Sequence, residues 1–215
     1  MSVLLPYAVV PADRLPPSAG ATGGGLLTVV EGSVALVCEE RDQGPSPSRG
    51  EMVAFAKVLQ ALGADRPALP VRFGTVLEDL TEARELLRTR ETQWRERLSY
   101  VAGHVELLVH LYDDRAPRPT PPSTGSGRDY LLSRAEARRH TDAMSEEVAA
   151  LLAPHCRETR RLPGRDEVRV ACLVRDEGTD KLRLALDGWV AAQPGRHVTT
   201  TGPWPPFTFA EEDMP

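Results

Sequence analysis

Apolar positions along this chain recur with two periods, every second residue over short runs and every third or fourth over longer ones, and the change from one to the other marks strands and helices. Residues 4–10 predict a first strand closed by Pro11, and the proline- and glycine-rich run that follows predicts a loop. Two β-rich runs, 26–30 and 34–39, lie either side of Glu31, Gly32 and Ser33, the spacing of a hairpin. Ser48 and Glu51 form a capping box for a helix ending near Gly63, with Met52, Phe55, Ala56, Leu59 and Leu62 as its buried stripe.

The organising stretch is 67–87. Leu69, Val71 and Phe73 alternate with Pro70 and Arg72, as in a short strand, and Gly74 is free to take the positive φ of a sharp exit. Thr75 and Glu78 predict a second capping box, so a helix is expected from about Val76. Leu69, Pro70, Phe73, Gly74 and Thr75 are thus expected to be structural. Arg72 has two readings, a pairing or solvent-facing role at the sheet edge and contact with an anionic partner group. Leu80, Leu87, Trp94 and Val101, at intervals of seven, with Ala83 and Leu98, give the helix one apolar face, and Gly103 ends it. In the strand predicted over 104–112, Val105, Leu107, Val109 and Leu111 oppose His104, Glu106, Leu108, His110 and Tyr112.

Residues 113–128 carry many prolines and almost no apolar side chain, which predicts a linker between an amino-terminal domain at 1–112 and a carboxyl-terminal one at 129–215. A helix is expected over 129–153, buried through Tyr130, Ala137, Thr141, Met144, Val148 and Leu151. Strands at 156–162 and 168–174 follow, then a helix carrying Leu182, Ala185, Leu186 and Trp189, and a last strand at 195–201. Gly202, Pro203, Trp204, Pro205 and Pro206 predict a stiff irregular segment. It either clamps Trp204 and Phe207 onto the second domain, the favoured expectation, or presents them to a partner. The fold class is α+β in two small domains, the first a modified ferredoxin-like unit with a mostly antiparallel sheet and two helices. The helices of each domain are expected on one sheet face.

The 215 residues, 41% of them hydrophobic, suffice for two small cores. A formal charge of −5 argues against broad affinity for nucleic acid or an anionic membrane. No apolar run approaches the roughly 20 residues that span a bilayer, and the first residues lack a secretion pattern, so a cytoplasmic location is expected. Cys38, Cys156 and Cys172 form neither a disulfide framework nor a redox pair by spacing, and Cys38 and Cys172 sit at inward strand positions.

The catalytic chemistries find no support. His104, Glu106 and His110 share a strand face, but two histidines six residues apart on a strand are about 20 Å from each other, too far to share an ion. There is no GxSxG elbow, and His155 beside Cys156 is not a catalytic pattern. The turn at Gly74 has one glycine and no following lysine, unlike a phosphate loop. Neither an enzymatic activity, a metal nor a cofactor is expected. What remains is adhesive surface, with Arg72, His104, Glu106 and Tyr112 as candidate partner contacts.

The segments LPVRFGTV (69–76), VEL (105–107), GRDYL (127–131) and TGPWPPFTF (201–209) resemble, in order, the gas vesicle protein GvpF/GvpL family. The resemblance spans nearly the whole chain, and the first and last segments carry its specificity. It implies a non-enzymatic accessory protein and minor component of gas vesicles. That role includes binding the small hydrophobic shell protein GvpA during nucleation, limiting its aggregation, and possible contacts with other gas vesicle accessory proteins. A small-ligand-sensing regulator is the alternative that the two-domain architecture allows.

Overall fold

The computed structural model describes residues 2–13, 25–117, 127–164 and 167–210. In chain order the first elements are β1 (Val3–Pro11), β2 (Leu26–Glu31), β3 (Val34–Arg41), α1 (Arg49–Gly63), β4 (Leu69–Pro70) and α2 (Leu80–Val101). They are followed by β5 (His104–Asp113), α3 (Gly127–Leu152), β6 (Glu158–Leu162), β7 (Val168–Arg175), α4 (Thr179–Ala191), β8 (Arg196–Trp204) and α5 (Phe207–Ala210). The architecture is α+β, with one four-stranded sheet ordered β2-β3-β1-β4 and another ordered β6-β7-β5-β8.

In the first sheet the expected hairpin forms, with β2 antiparallel to β3 and Val30 opposite Ala35. Gly32 turns it at φ +56°, and a side chain there would collide with the Glu91 carboxylate, which accepts from the Ser33 backbone N–H at 2.9 Å. Residues 4–10 of β1 and 34–38 of β3 are buried without alternation, which requires cover on both faces. One face packs Leu5, Tyr7, Val10, Ala35 and Val37 against Phe55, Val58, Leu59 and Leu62 of α1. The alternate residues Val34, Leu36 and Cys38 point the opposite way. There α2 lies against all four strands and buries Ala83, Leu87, Trp94, Leu98 and Val101. The two helices therefore cover opposite faces, not the one face expected. The burial stripes shift accordingly: Met52 and Leu80 are exposed, and Val58 is buried in place of Ala56.

Cap chemistry sets the helix starts. Ser48 caps α1 as expected, its hydroxyl accepting from the Glu51 N–H at 3.2 Å. α2 starts four residues later than expected. The Leu77 backbone exchanges two hydrogen bonds of 2.9 Å with Leu4, which holds it extended, so no helix can run through it. The cap is Asp79, whose carboxylate accepts from the N–H groups of Thr81 (2.7 Å) and Glu82 (2.9 Å), while the Glu82 carboxylate accepts from the Glu78 N–H.

In the second sheet one face receives both helices, while residues 170–174 of β7 are buried without alternation, so the other face is covered as well. Leu107, Val109 and Leu111 of β5 join Val168, Val170, Cys172 and Val174 of β7 against Met144, Val148 and Leu152 of α3 and Leu182 and Leu186 of α4. Tyr130, Ala137, Thr141 and Leu151 of the expected α3 stripe are only half-buried.

The compact units are residues 1–105 with 204–215, and 106–203. Two expectations are thereby corrected. β5 belongs to the second sheet, between β7 and β8, so the boundary falls ahead of the proline-rich stretch and not inside it. Asp113 and Asp114 are folded, the latter donating its N–H to the Gly195 carbonyl at 2.8 Å. Of the expected linker, 118–126 lies outside the described residues, and Gly127 and Arg128 already belong to α3.

Candidate partner-binding surfaces

The 69–75 stretch fastens the edge of the first sheet. Leu69 pairs with Val9 in β4, and the Val71 N–H donates to the Tyr7 carbonyl at 2.8 Å. Leu69, Pro70 and Val71 are buried. Gly74, at φ +97°, makes the reversal that the glycine allows, and the Thr75 N–H closes it onto the Arg72 carbonyl at 3.2 Å. That reversal aims Phe73 inward, edge-on to Phe55 at 5.3 Å, and Phe55 stacks on Tyr7 at 4.9 Å. Tyr7 in turn donates its hydroxyl to the buried Glu39 carboxylate at 2.7 Å. Arg72 is exposed beside this turn.

His104, Glu106 and Tyr112 do not form one open face. His104 is half-buried with Nδ1 2.8 Å from the Ala102 carbonyl, Glu106 is 2% exposed, and Tyr112 is 44% exposed. A carboxylate that buried cannot be an ordinary surface contact, so Glu106 drops out of the candidate set. His110 faces Glu167 at 3.6 Å, and the Tyr112 hydroxyl bonds the same carboxylate, which raises the pKa of the phenol.

The carboxyl-terminal segment also differs from expectation. β8 continues through Gly202 and a cis Gly202–Pro203 bond to Trp204, so the irregular part is confined to Pro205 and Pro206. From Trp204 onward the chain belongs to the first unit and not to the second. Phe207 packs on the α1-side core. Phe209 and Ala210 are fully buried, and the Phe209 carbonyl accepts from the Arg97 guanidinium. Pro206 is buried while Trp204 is half-buried, so the anchor is Phe209, which sequence reasoning missed for want of any periodic pattern in so short a helix.

Exposed apolar side chains are the strongest adhesive signal. On the first unit Leu27 and Val30 project from β2, an outer strand of its sheet, with Met52 and Val53 on α1 and Val76 and Leu80 ahead of α2. An outer strand with unpaired backbone groups is a template for a further strand. A depression lined by Ser2, Glu40, Arg41, Asp42, Gln43 and Glu51 is open and polar, and Arg41 within it already pairs with Glu51 at 3.1 Å.

Two polar clusters in the second unit were not foreseen. Asp113, whose side chain is fully buried, meets Arg115 (3.1 Å), His140 (3.2 Å) and Arg196 (3.4 Å). The hydrogen bonds from Arg115 hold its carboxyl well below the usual carboxylate range, and Arg196, stacked over Trp189 at 4.8 Å, also pairs with Glu147. The fold also joins two thiols that sequence spacing leaves apart: the Cys172 thiol is hydrogen-bonded to Cys156, and that contact with its burial pushes its pKa far up. Burial likewise pushes Cys38 up to about 11. All three are free thiols, and Cys38 and Cys172, buried with raised pKa values, are poor nucleophiles. Among the described residues no group of three or more histidine, cysteine or acidic side chains is placed to hold a metal ion, and no helix is long and apolar enough to cross a membrane.

Comparison with known proteins matches residues 4–211 to the family described as gas vesicle synthesis protein GvpL/GvpF. Gas vesicle protein L of Streptomyces sp. (strain CB03234) is 30% identical, across 97% of this chain and 94% of its own length. Gas vesicle protein F2 of Halobacterium salinarum is 28% identical, across 82% of this chain and 76% of its own. In fold, the chain superposes on the crystal structure of GvpF from Anabaena sp. PCC7120 with a TM-score of 0.81 at 20% identity, covering 98% of this chain and 97% of that one. GvpF from Microcystis aeruginosa gives 0.79 at 16% identity, covering 97% and 99%. A sheet edge rich in exposed apolar residues, a pinned LPVRFGT turn and a folded-back TGPWPPFTF segment are thus features of a chain that belongs to the gas vesicle GvpL/GvpF family.

Proposed function

We propose that this chain is a non-enzymatic accessory protein of gas vesicles that binds the hydrophobic shell protein GvpA in the cytoplasm during nucleation and limits its aggregation. Family membership supports the gas vesicle role. The observation that carries the location is the outer strand β2, with Leu27 37% and Val30 47% exposed beside a backbone edge that has no strand partner among the described residues. An aggregation-prone segment finds there the same two things it finds in another copy of itself, backbone groups to pair with and apolar side chains to cover. Occupying that segment reversibly limits its self-association. Of the other candidates, Arg72 and Tyr112 are accessible and serve as secondary contacts.

The test is co-expression of the tagged full-length chain with the shell protein, followed by affinity purification. The wild type is expected to retain the shell protein, and the double variant Leu27→Lys/Val30→Lys, folded by circular dichroism, to lose most of it. Failure of the wild type to retain it removes the binding role. Equal retention by the variant removes the β2 edge.

A further inference from the structure

The second unit carries a surface of different chemistry. α3 runs for 26 residues, yet its fully buried side chains, Met144, Val148 and Leu152, all lie in its last nine positions. Over the preceding turns a half-buried seam of Tyr130, Ser133 and Ala137 leaves the opposite face to solvent. That outward face carries Arg128, Arg139 and Asp142 but is not uniformly polar, as it is in an ordinary amphipathic helix. It holds Leu131 at 65% and Leu132 at 56% exposure, followed one turn on by Ala135. Two adjacent leucines, each more than half exposed, make a small apolar patch at the middle of this solvent face, open to a partner.

The charges around them state what kind of cover fits. On and beside this face Arg128, Arg138, Arg139 and Arg161 of β6 outnumber Asp142 and Glu146, a local surplus of two positive charges in a chain of net −5. Arg128 sits one turn before the leucines, and Arg138 and Arg139 two turns after, on the same side by helical spacing. Among the described residues Arg138 reaches only Asp142, at 3.9 Å with its side chain 86% exposed. Asp142 is bound more closely by Arg161 of β6, at 2.8 Å. β6 is an outer strand of its sheet, so its arginine extends the cationic border beside the helix.

We propose that the outward face of α3, with Leu131 and Leu132 at its centre and Arg128, Arg138, Arg139 and Arg161 around it, docks an acidic amphipathic helix of a partner protein. Its leucines would cover the apolar pair while its carboxylates meet the arginines. A protein partner fits better than an anionic bilayer, because two leucines offer little depth of insertion and the chain as a whole repels negative headgroups. This surface is independent of the β2 edge and does not rest on shell-protein binding.

The probe is a fluorescent 21-residue helical peptide with leucines at heptad a and d positions, glutamates at e and g and alanines elsewhere, titrated against the full-length protein by anisotropy. A matched peptide with lysine for glutamate and vesicles of anionic phospholipid are run in parallel. Saturable binding of the acidic peptide is expected. It should weaken about tenfold or more in Leu131→Ser/Leu132→Ser and in Arg138→Glu/Arg139→Glu, and fall with added salt. These side chains are exposed, so both variants should keep the wild-type melting temperature. Absence of binding, equal binding of both peptides, indifference to the substitutions, or preferential binding to vesicles would each overturn the proposal.

Discussion

The two units use the same materials differently. The first places a helix on each face of its sheet, so residues 4–10 and 34–38 are buried without alternation, and it recruits Phe207–Ala210 from the far end of the chain. The second packs α3 and α4 into one core with β5 and β7, and lets more than half of α3 run on beyond its buried residues. The difference separates roles that composition alone would merge. Where helices cover a sheet fully, adhesive residues are left to an edge, as at Leu27 and Val30; where a helix outruns its core, they appear on the helix itself, as at Leu131 and Leu132.

The largest effect is expected from the tail that completes the first unit. Phe209 is fully buried, so Phe209→Ala should cost about 3–5 kcal/mol. Amide exchange should accelerate in β1 and β3 while β7 keeps its rate. Trp204, half-buried, should cost distinctly less on truncation, the reverse of the order expected if it were the anchor. Faster exchange in β7 alone would return the tail to the second unit.

The next concerns Asp113, the buried carboxylate of the second unit. Asp113→Asn removes the anion shared by Arg115, His140 and Arg196, and a loss of about 1.5–3 kcal/mol is expected in chemical denaturation. The carboxyl is depressed in the folded state, so its contribution is fully present above the ordinary aspartate value of about 4 and is lost as pH falls toward the folded value. Stability of the wild type should therefore drop more steeply below pH 4 than that of the variant. Parallel acid profiles would show that the cluster is not a stabilising one.

The smallest separates two caps. Asp79→Ala should lower the melting temperature measurably, since it removes the acceptor for two N–H groups of α2, whereas Thr75→Ala, outside the helix, should change it little. The opposite order would restore a helix start near Val76.

Much of this arrangement was legible in local pattern. The β2–β3 hairpin, the Ser48 cap and the apolar line from Leu87 to Val101 depend on residues a few positions apart, and each lies where its period puts it. What was not legible depends on distant pairing. Nothing near Val76 reveals that Leu77 is held extended by Leu4, and nothing in the alternation of β5 tells which sheet receives it. Glu106 reads as an outward polar residue because alternation cannot tell solvent from cover. The Asp113 cluster joins residues 113, 140, 147 and 196, a convergence that no local window contains. Arg72 on the first unit and Tyr112 on the second are each accessible, whereas Leu27 and Val30 read in the sequence only as strand residues.

The most direct test of shell-protein binding by the first unit compares its exposed edge with a still more accessible point on the second. A photo-cross-linking residue is placed at Val30, 47% exposed on β2, or at Leu184, 70% exposed on α4, in the full-length chain co-expressed with the shell protein. A covalent adduct with the shell protein from Val30 and none from Leu184 is the predicted result; an adduct from Leu184 with none from Val30 would contradict it.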